Sequence, residues 1–211
     1  MENFESFKEN RYSSVSEIYL HLPILEKFAH DCETIIEFGV RKANSTVAFM
    51  SGVKNKLISY DIEISDEIDQ LQKMKLPCQW EFRLQNTADP NHVIEETDML
   101  FIDTDHTYKQ VLNELMIHGD QATKMIGFHD TAKYGIKDYN GNVGINKAIY
   151  NFVTNLSKKN WKVLYNSLEC NGLFIMSTTN EKTDVNNFYE ILNISSCDQI
   201  LMSGNKVTTN S

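Results

Sequence analysis

The chain reads D-M-L-F-I-D-T-D-H-T-Y-K-Q-V-L-N-E-L over residues 98–115 and M-I-G-F-H-D-T over residues 125–131. The first piece opens on the apolar run 99–103, long enough for a strand buried on both faces and too short for a helix. It passes at once into Thr107-x-x-Gln110, a capping-box spacing that starts a helix. Val111, Leu112, Leu115 and Met116 then fall on one helical stripe. The second piece is another short apolar run. Strand, helix and strand in that order form the repeating unit of a parallel sheet with right-handed crossovers.

The same alternation extends in both directions. Upstream lie the runs 34–38 (TIIEF), 57–61 (LISYD) and 80–84 (WEFRL). A helix is expected to begin near Asn44, and Ser65 caps another that carries Ile68, Leu71 and Met74 inward. Downstream, the loop 131–144 holds three glycines and two tyrosines and reads either as a lid or as a surface loop. A helix over 145–156 follows, then strands at 161–166 and 173–177 close enough for an antiparallel edge hairpin. The expected architecture is α/β: a doubly wound, mostly parallel sheet of seven strands with helices on both faces. Its parts are an amino-terminal helical segment (1–30, with a helix over 16–29), a catalytic domain (31–180), and a carboxy-terminal helix and polar tail (181–211, polar from about 195).

Composition narrows the partners. The 211 residues carry 20 Lys and Arg against 29 Asp and Glu, a net charge of −9. Such a balance disfavours nucleic acids and anionic membranes, because the phosphate-neutralising charge is missing. No apolar run approaches the ~20 residues needed to span a bilayer. Charged residues precede any apolar stretch at the amino terminus, unlike a secretory signal. The four cysteines form no C-x-x-C pair, which fits a reducing compartment. Cytoplasm is the expected location, and the apolar face of the amino-terminal helix leaves a homo-oligomer open.

In an open parallel sheet, ligands bind outside the carboxyl ends of the strands. Those ends are polar here: Glu37 with Gly39, Asp61, Asn86 with Thr87, Asp103 with Asp105 and His106, and His129 with Asp130. Asp61 has the right chemistry to hold ribose hydroxyls. The first loop has Gly39, then Ala43, then no glycine until Gly52, and no phosphate-loop motif occurs. A nucleoside without phosphates suits it better than NAD or ATP, and S-adenosylmethionine is such a ligand. Asp103 and His129-Asp130 close two strands that lie ~4.8 Å apart if they are neighbours. Two carboxylates suit Mg²⁺ or Ca²⁺, and the imidazole widens the choice to Mn²⁺, Fe²⁺ or Zn²⁺. The same set has the composition of a non-haem iron site. Without a metal, Asp103 would accept from a helix N-terminus and His129 would be a core residue. His106, three positions after Asp103, is placed to accept a proton from a metal-acidified hydroxyl.

These motifs resemble a known family. IEFGVRKANST (residues 36–46) is similar to the glycine-rich motif of class I S-adenosylmethionine-dependent methyltransferases. DMLFIDTDHTYKQVLNEL with MIGFHDT resembles a subgroup of sugar and macrolide O-methyltransferases and cephalosporin hydroxylase-like proteins. The resemblance, over residues 15–178, implies a Rossmann-like methyltransferase fold. It implies Glu37, Gly39 and Ser45 along the cofactor's methionine part, with Arg41 among the cofactor contacts. Asp61 would hold the ribose, and Asn86 and Thr87 the adenine edge. Asp103, His129 and Asp130 would bind the metal, Mg²⁺ first and Mn²⁺ or Fe²⁺ next, with Asp103 and His106 as the catalytic pair. The chain departs from the family pattern at Ala43 and Thr104, where glycine is usual, and at His129, where some metal-dependent members have an acid. Ala43 is a mild change if the backbone there is not left-handed. The expected activity is O-methyl transfer to a small hydroxylated acceptor, a sugar or glycosylated metabolite. The alternatives are an idle methyltransferase-like binding protein and an iron-dependent oxidative enzyme.

Overall fold

A strand with apolar residues in both registers belongs in the middle of a sheet, and β1 (Thr34–Phe38) is such a strand. Ile35 and Glu37 face one side, Ile36 and Phe38 the other, and all four are buried. In the computed structural model, which describes residues 3–204, β2 (Lys56–Asp61) and β4 (Thr97–Ile102) flank it in parallel. With β3 (Gln79–Leu84), β5 (Ala122–His129), β6 (Asn160–Ser167) and β7 (Leu173–Thr179), the order is β3-β2-β1-β4-β5-β7-β6. Only β7 runs antiparallel, pairing with β5 on one side and β6 on the other.

Register aligns the strand ends. Phe38 pairs with Tyr60 and with Ile102, and Ile102 pairs with Phe128. Residues 39, 61, 103 and 129 therefore emerge level along one edge. The chain winds outward from β1 to β3, then returns to β4 on β1's other side. The reversal opens a crevice between β1 and β4 at that edge.

Helices cover both faces. α1 (Phe4–Ser13), α2 (Leu22–Ala29), α3 (Asn44–Gly52) and α4 (Asp66–Leu71) pack against Ile35, Leu57, Met99 and Phe101. α5 (Tyr108–His118), α6 (Ile145–Asn151), α7 (Val185–Ile191) and α8 (Ile194–Gly204) cover the face that carries Ile36, Ile58, Leu100 and Ile126.

The expected seven strands and edge hairpin are present. Three helical expectations need correction. The amino-terminal helix does not run over 16–29: a 3₁₀ turn at Tyr19–His21 precedes α2, where Pro23 occupies the first turn. The helix expected over 145–156 is α-helical only to Asn151 and continues as a π segment, Phe152–Leu156. Residues 194–204 form α8, with Ile194 and Cys197 buried, rather than starting a polar tail. The rest of that tail, 205–211, lies outside the described residues. Met116 is 60% exposed and leaves the expected stripe, whereas Leu112 packs on the core beside the buried Val111, Glu114, Leu115 and His118.

Candidate active site

The first loop is shaped by what lies beneath it. Gly39 has φ +87°, and a Cβ there would sit 2.0 Å from the Asp103 carbonyl oxygen. Only glycine lets β1 and β4 leave the sheet this close together. Arg41 (φ 46°) and Ala43 (φ 57°) are also left-handed. The condition for a mild Ala43 change therefore fails: a methyl group sits where glycine is the relaxed residue. Asp61 braces the loop by accepting from the Val40 N–H (2.7 Å) and Arg41 N–H (3.0 Å). Its other oxygen accepts from the Ile62 N–H (2.7 Å) and Glu63 N–H (3.2 Å).

Glu37 lies under the loop, fully buried. It accepts from Ser45 Oγ (2.6 Å), Thr46 Oγ1 (2.8 Å) and Ser59 Oγ (2.7 Å). Burial raises its pKa to about 7, against the pull of those three hydroxyls. Its carboxylate thus ties β1, β2 and the start of α3 together.

Two cavities meet at Gly39, Arg41 and Asp103. One, of about 250 Å³, is bordered by Tyr60, Asp61, Asn86, Thr87, Thr104 and Gln110. The other, of about 370 Å³, lies between the first loop, with Ser45, and the segment 11–18, and has Asp103 and His129 on its wall. Asp61, Asn86 and Thr87 are thus brought to one cavity, and Ser45 to the other.

Asp103, His129 and Asp130 converge as the strand ends required. One donor atom from each lies within 4.8 Å of the others. His129 Nδ1 is 3.5 Å from Asp103 Oδ1 and 3.2 Å from Asp130 Oδ2. Its Nε2 is 2.9 Å from the Cys170 carbonyl oxygen. A carbonyl only accepts, so Nε2 carries a hydrogen and Nδ1 is the atom turned to the carboxylates. Asp130 adopts φ 62°, which swings its carboxylate back into the cluster. His106 Nε2 lies 2.6 Å from Asp130 Oδ2 and 3.5 Å from Asp103 Oδ1. Its ring stacks on Tyr134 at 4.7 Å.

Charge in the cluster is balanced. Burial opposes protonation of both imidazoles, but Asp103 and Asp130 outweigh it, raising His106 to about 9 and His129 to about 10. Burial likewise opposes ionisation of the two carboxyls, yet the histidines hold both well below the usual carboxylate range. As the chain stands, two imidazolium ions face two carboxylates.

The loop 131–144 meets this cluster through Tyr134. The Tyr134 N–H donates to the Asp130 carbonyl (2.9 Å), and Lys137 bridges Val143. Asp138 accepts from the Asn140 and Asn142 N–H groups at 2.8 Å each.

Several residues of the site escaped sequence reasoning. Glu114, buried on α5, accepts from Thr87 and, at 2.9 Å each, from Thr104 and Gln110. Burial raises it to about 7 against those bonds. An acid at an apolar-stripe position is the signal that marks it. Gln110 reaches Glu114 instead of closing the capping box, so only the Thr107 half forms, at 3.3 Å to the Gln110 N–H. His21, given no role by its sequence setting, packs edge-on to His129 at 5.9 Å and meets the Glu169 carbonyl at 2.8 Å. The segment 11–18 carries no motif.

With this geometry in hand, solved structures can be compared. No known family profile and no curated protein sequence matches the chain. The chain is similar to an O-methyltransferase from Bacillus cereus in complex with SAH, at TM-score 0.55 and 14% identity, covering 84% of this chain and 90% of that one. A magnesium protoporphyrin IX methyltransferase from Synechocystis PCC 6803 with bound SAH gives 0.56 and 10%, over 82% and 93%. A Podospora anserina methyltransferase bound to SAH gives 0.52 and 12%, over 84% and 88%. The fold is the Rossmann-like methyltransferase fold. At these identities the likeness speaks to architecture alone, and chemistry has to be argued from the site.

Proposed function

We propose that the chain is an S-adenosylmethionine-dependent O-methyltransferase for a small hydroxylated acceptor, a sugar or glycosylated metabolite, assisted by a divalent metal. The observation that carries the reading is convergence at one sheet edge. The glycine-hinged first loop, the Asp61 cavity and the Asp103–His129–Asp130 cluster meet where this fold opens its crevice.

The donors fit a metal. Asp130 Oδ1 is buried and, among the described residues, has no hydrogen-bond partner, while His129 presents Nδ1 with its tautomer held from behind. Two carboxylates and one imidazole suit Mg²⁺, Mn²⁺ or Fe²⁺. S-adenosylmethionine supplies an electrophilic methyl group, and a cation held by Asp103, His129 and Asp130 supplies acidification of an acceptor hydroxyl.

The chain's own residues do the rest. Asp61 is placed for ribose hydroxyls once its longer amide contacts give way, with Asn86 and Thr87 beside the base. As an imidazolium His106 cannot act as a base; once Asp103 and Asp130 give their charge to a cation, His106 Nε2, its ring stacked on Tyr134, is free to take the acceptor's proton. Of the loop 131–144, Tyr134 lies against His106, and closure of the loop there would exclude water and favour alignment of the acceptor.

Transfer of labelled methyl from S-adenosylmethionine to a panel of sugars and glycosides, with and without EDTA, tests this. Label on an acceptor oxygen, reduced at least about 100-fold by EDTA and by Asp130→Asn, supports the reading. Transfer indifferent to both removes the metal. Iron-dependent oxygen uptake without methyl transfer favours the oxidative alternative.

A further inference from the structure

The turn between β6 and β7 holds three left-handed residues in a row: Cys170 (φ 42°), Asn171 (φ 68°) and Gly172 (φ 98°). Residues other than glycine stay in that region only where the packing around them imposes it. Here the carbonyls of the turn meet the segment that bears His129 and Asp130. The Cys170 carbonyl accepts from His129 Nε2 at 2.9 Å. The Asn171 carbonyl accepts from the Ala132 and Lys133 N–H groups at 2.8 and 3.0 Å. A Cβ on Gly172 would sit 2.3 Å from the Ala132 nitrogen, so the turn lies directly on the backbone that leaves the cluster.

The preceding carbonyl, that of Glu169, is taken by His21. His21 Nε2 lies 2.8 Å from it, so that nitrogen carries a hydrogen, as Nε2 of His129 does against Cys170. The Gly172 N–H closes the turn on the same Glu169 carbonyl at 2.7 Å. The two imidazoles, anchored on adjacent peptide carbonyls, meet edge to face, with centroids 5.9 Å apart and planes at 73°. Both are buried. His21 ends the 3₁₀ turn that leads into α2, where Leu22 and Leu25 have no exposed surface, so the ring is carried by a packed element. Burial keeps its pKa below the ordinary histidine value, which makes it an uncharged neighbour for His129.

We infer that His21 is a positioning residue for the metal centre: its Nε2–H fixes the Glu169 carbonyl, and with it the turn whose next carbonyl aims His129 Nδ1 at Asp103 and Asp130. This rests on the metal-assisted reading. An imidazole that ligates through one nitrogen needs its other N–H held, and losing the group that holds it costs about 10- to 100-fold in metal affinity. His21 acts one hydrogen bond further out, through the turn, so its loss falls at the lower end of that range. A residue of the amino-terminal segment, outside the expected catalytic domain, thereby sets the geometry of the cluster.

Mn²⁺ binding to the full chain, read by electron paramagnetic resonance and calorimetry, tests this, with S-adenosylhomocysteine titrated beside it. His21→Phe keeps a ring of similar size and loses the donor. It is expected to weaken Mn²⁺ about 10-fold and to leave S-adenosylhomocysteine within about twofold. His21→Asn, too short to reach the carbonyl, gives the same contrast with a polar side chain. His21→Gln, whose amide N–H takes the place of Nε2–H, is expected to recover most of the affinity. Unchanged Mn²⁺ affinity in the Phe and Asn variants, no recovery in the Gln variant, or parallel losses of Mn²⁺ and S-adenosylhomocysteine overturn the inference while the metal reading stands. Wild-type protein that binds no Mn²⁺ overturns the metal reading and this inference with it.

Discussion

Glu37 shows how much a single buried carboxyl can do through the hydroxyls of its own chain. Its folded pKa of about 7 lies above the ordinary 4.5, so between those values the folded chain keeps a proton that the unfolded chain releases. Stability from this group is full below about pH 4.5, falls as pH rises to 7, and is level above. The span is at most about 3 kcal/mol. Urea unfolding at several pH values should show that slope in the wild type and a shallower one in Glu37→Gln. Identical slopes would mean that Glu37 is not the group responsible. Its position was legible as a strand-end acid; its burial was not, because nothing local in I-E-F-G distinguishes a carboxylate facing a ligand from one facing Ser45, Thr46 and Ser59. Ala43 was legible as a departure from glycine, but its left-handed backbone follows from the loop closing on Asp61, 18 positions later in the chain.

Elements were more legible than their ends. Buried strands announce themselves as short apolar runs, and Ser65 and Thr107 cap helices as their side chains suggest. α1 went unseen because its inward face has only Phe4 and Phe7 buried, with Tyr12 partly so, a weak period in a polar stretch. Glu114 and His118 were hidden for a related reason: they occupy apolar positions of α5 because Thr87, Thr104 and Gln110 satisfy the first and the Thr87 carbonyl the second. The junction of β1 and β4 is closely packed. Gly39→Ala puts a Cβ into the Asp103 carbonyl and forces a left-handed alanine. Its expected cost is at least about 2 kcal/mol in chemical denaturation, with weakened Mn²⁺ binding as Asp103 shifts. Unchanged stability would show that the strand ends are further apart than described.

At the scale of the whole molecule, one edge of the sheet gathers the site while the opposite edge only closes the fold. The switch between β1 and β4 could be anticipated from alternating strands and helices, and the cluster of Asp103, His129 and Asp130 from their places at adjoining strand ends. The reach of the amino-terminal segment into the larger cavity could not be, because it depends on α1 docking on α2 and α3. Among the described residues, no helix is long and apolar enough to cross a membrane. The most direct test of the account is calorimetric titration of the intact chain with S-adenosylmethionine and S-adenosylhomocysteine, with and without Mg²⁺. The account predicts that both bind with dissociation constants on the order of micromolar, near −8 kcal/mol. Absence of binding by either, at any metal concentration, would contradict it.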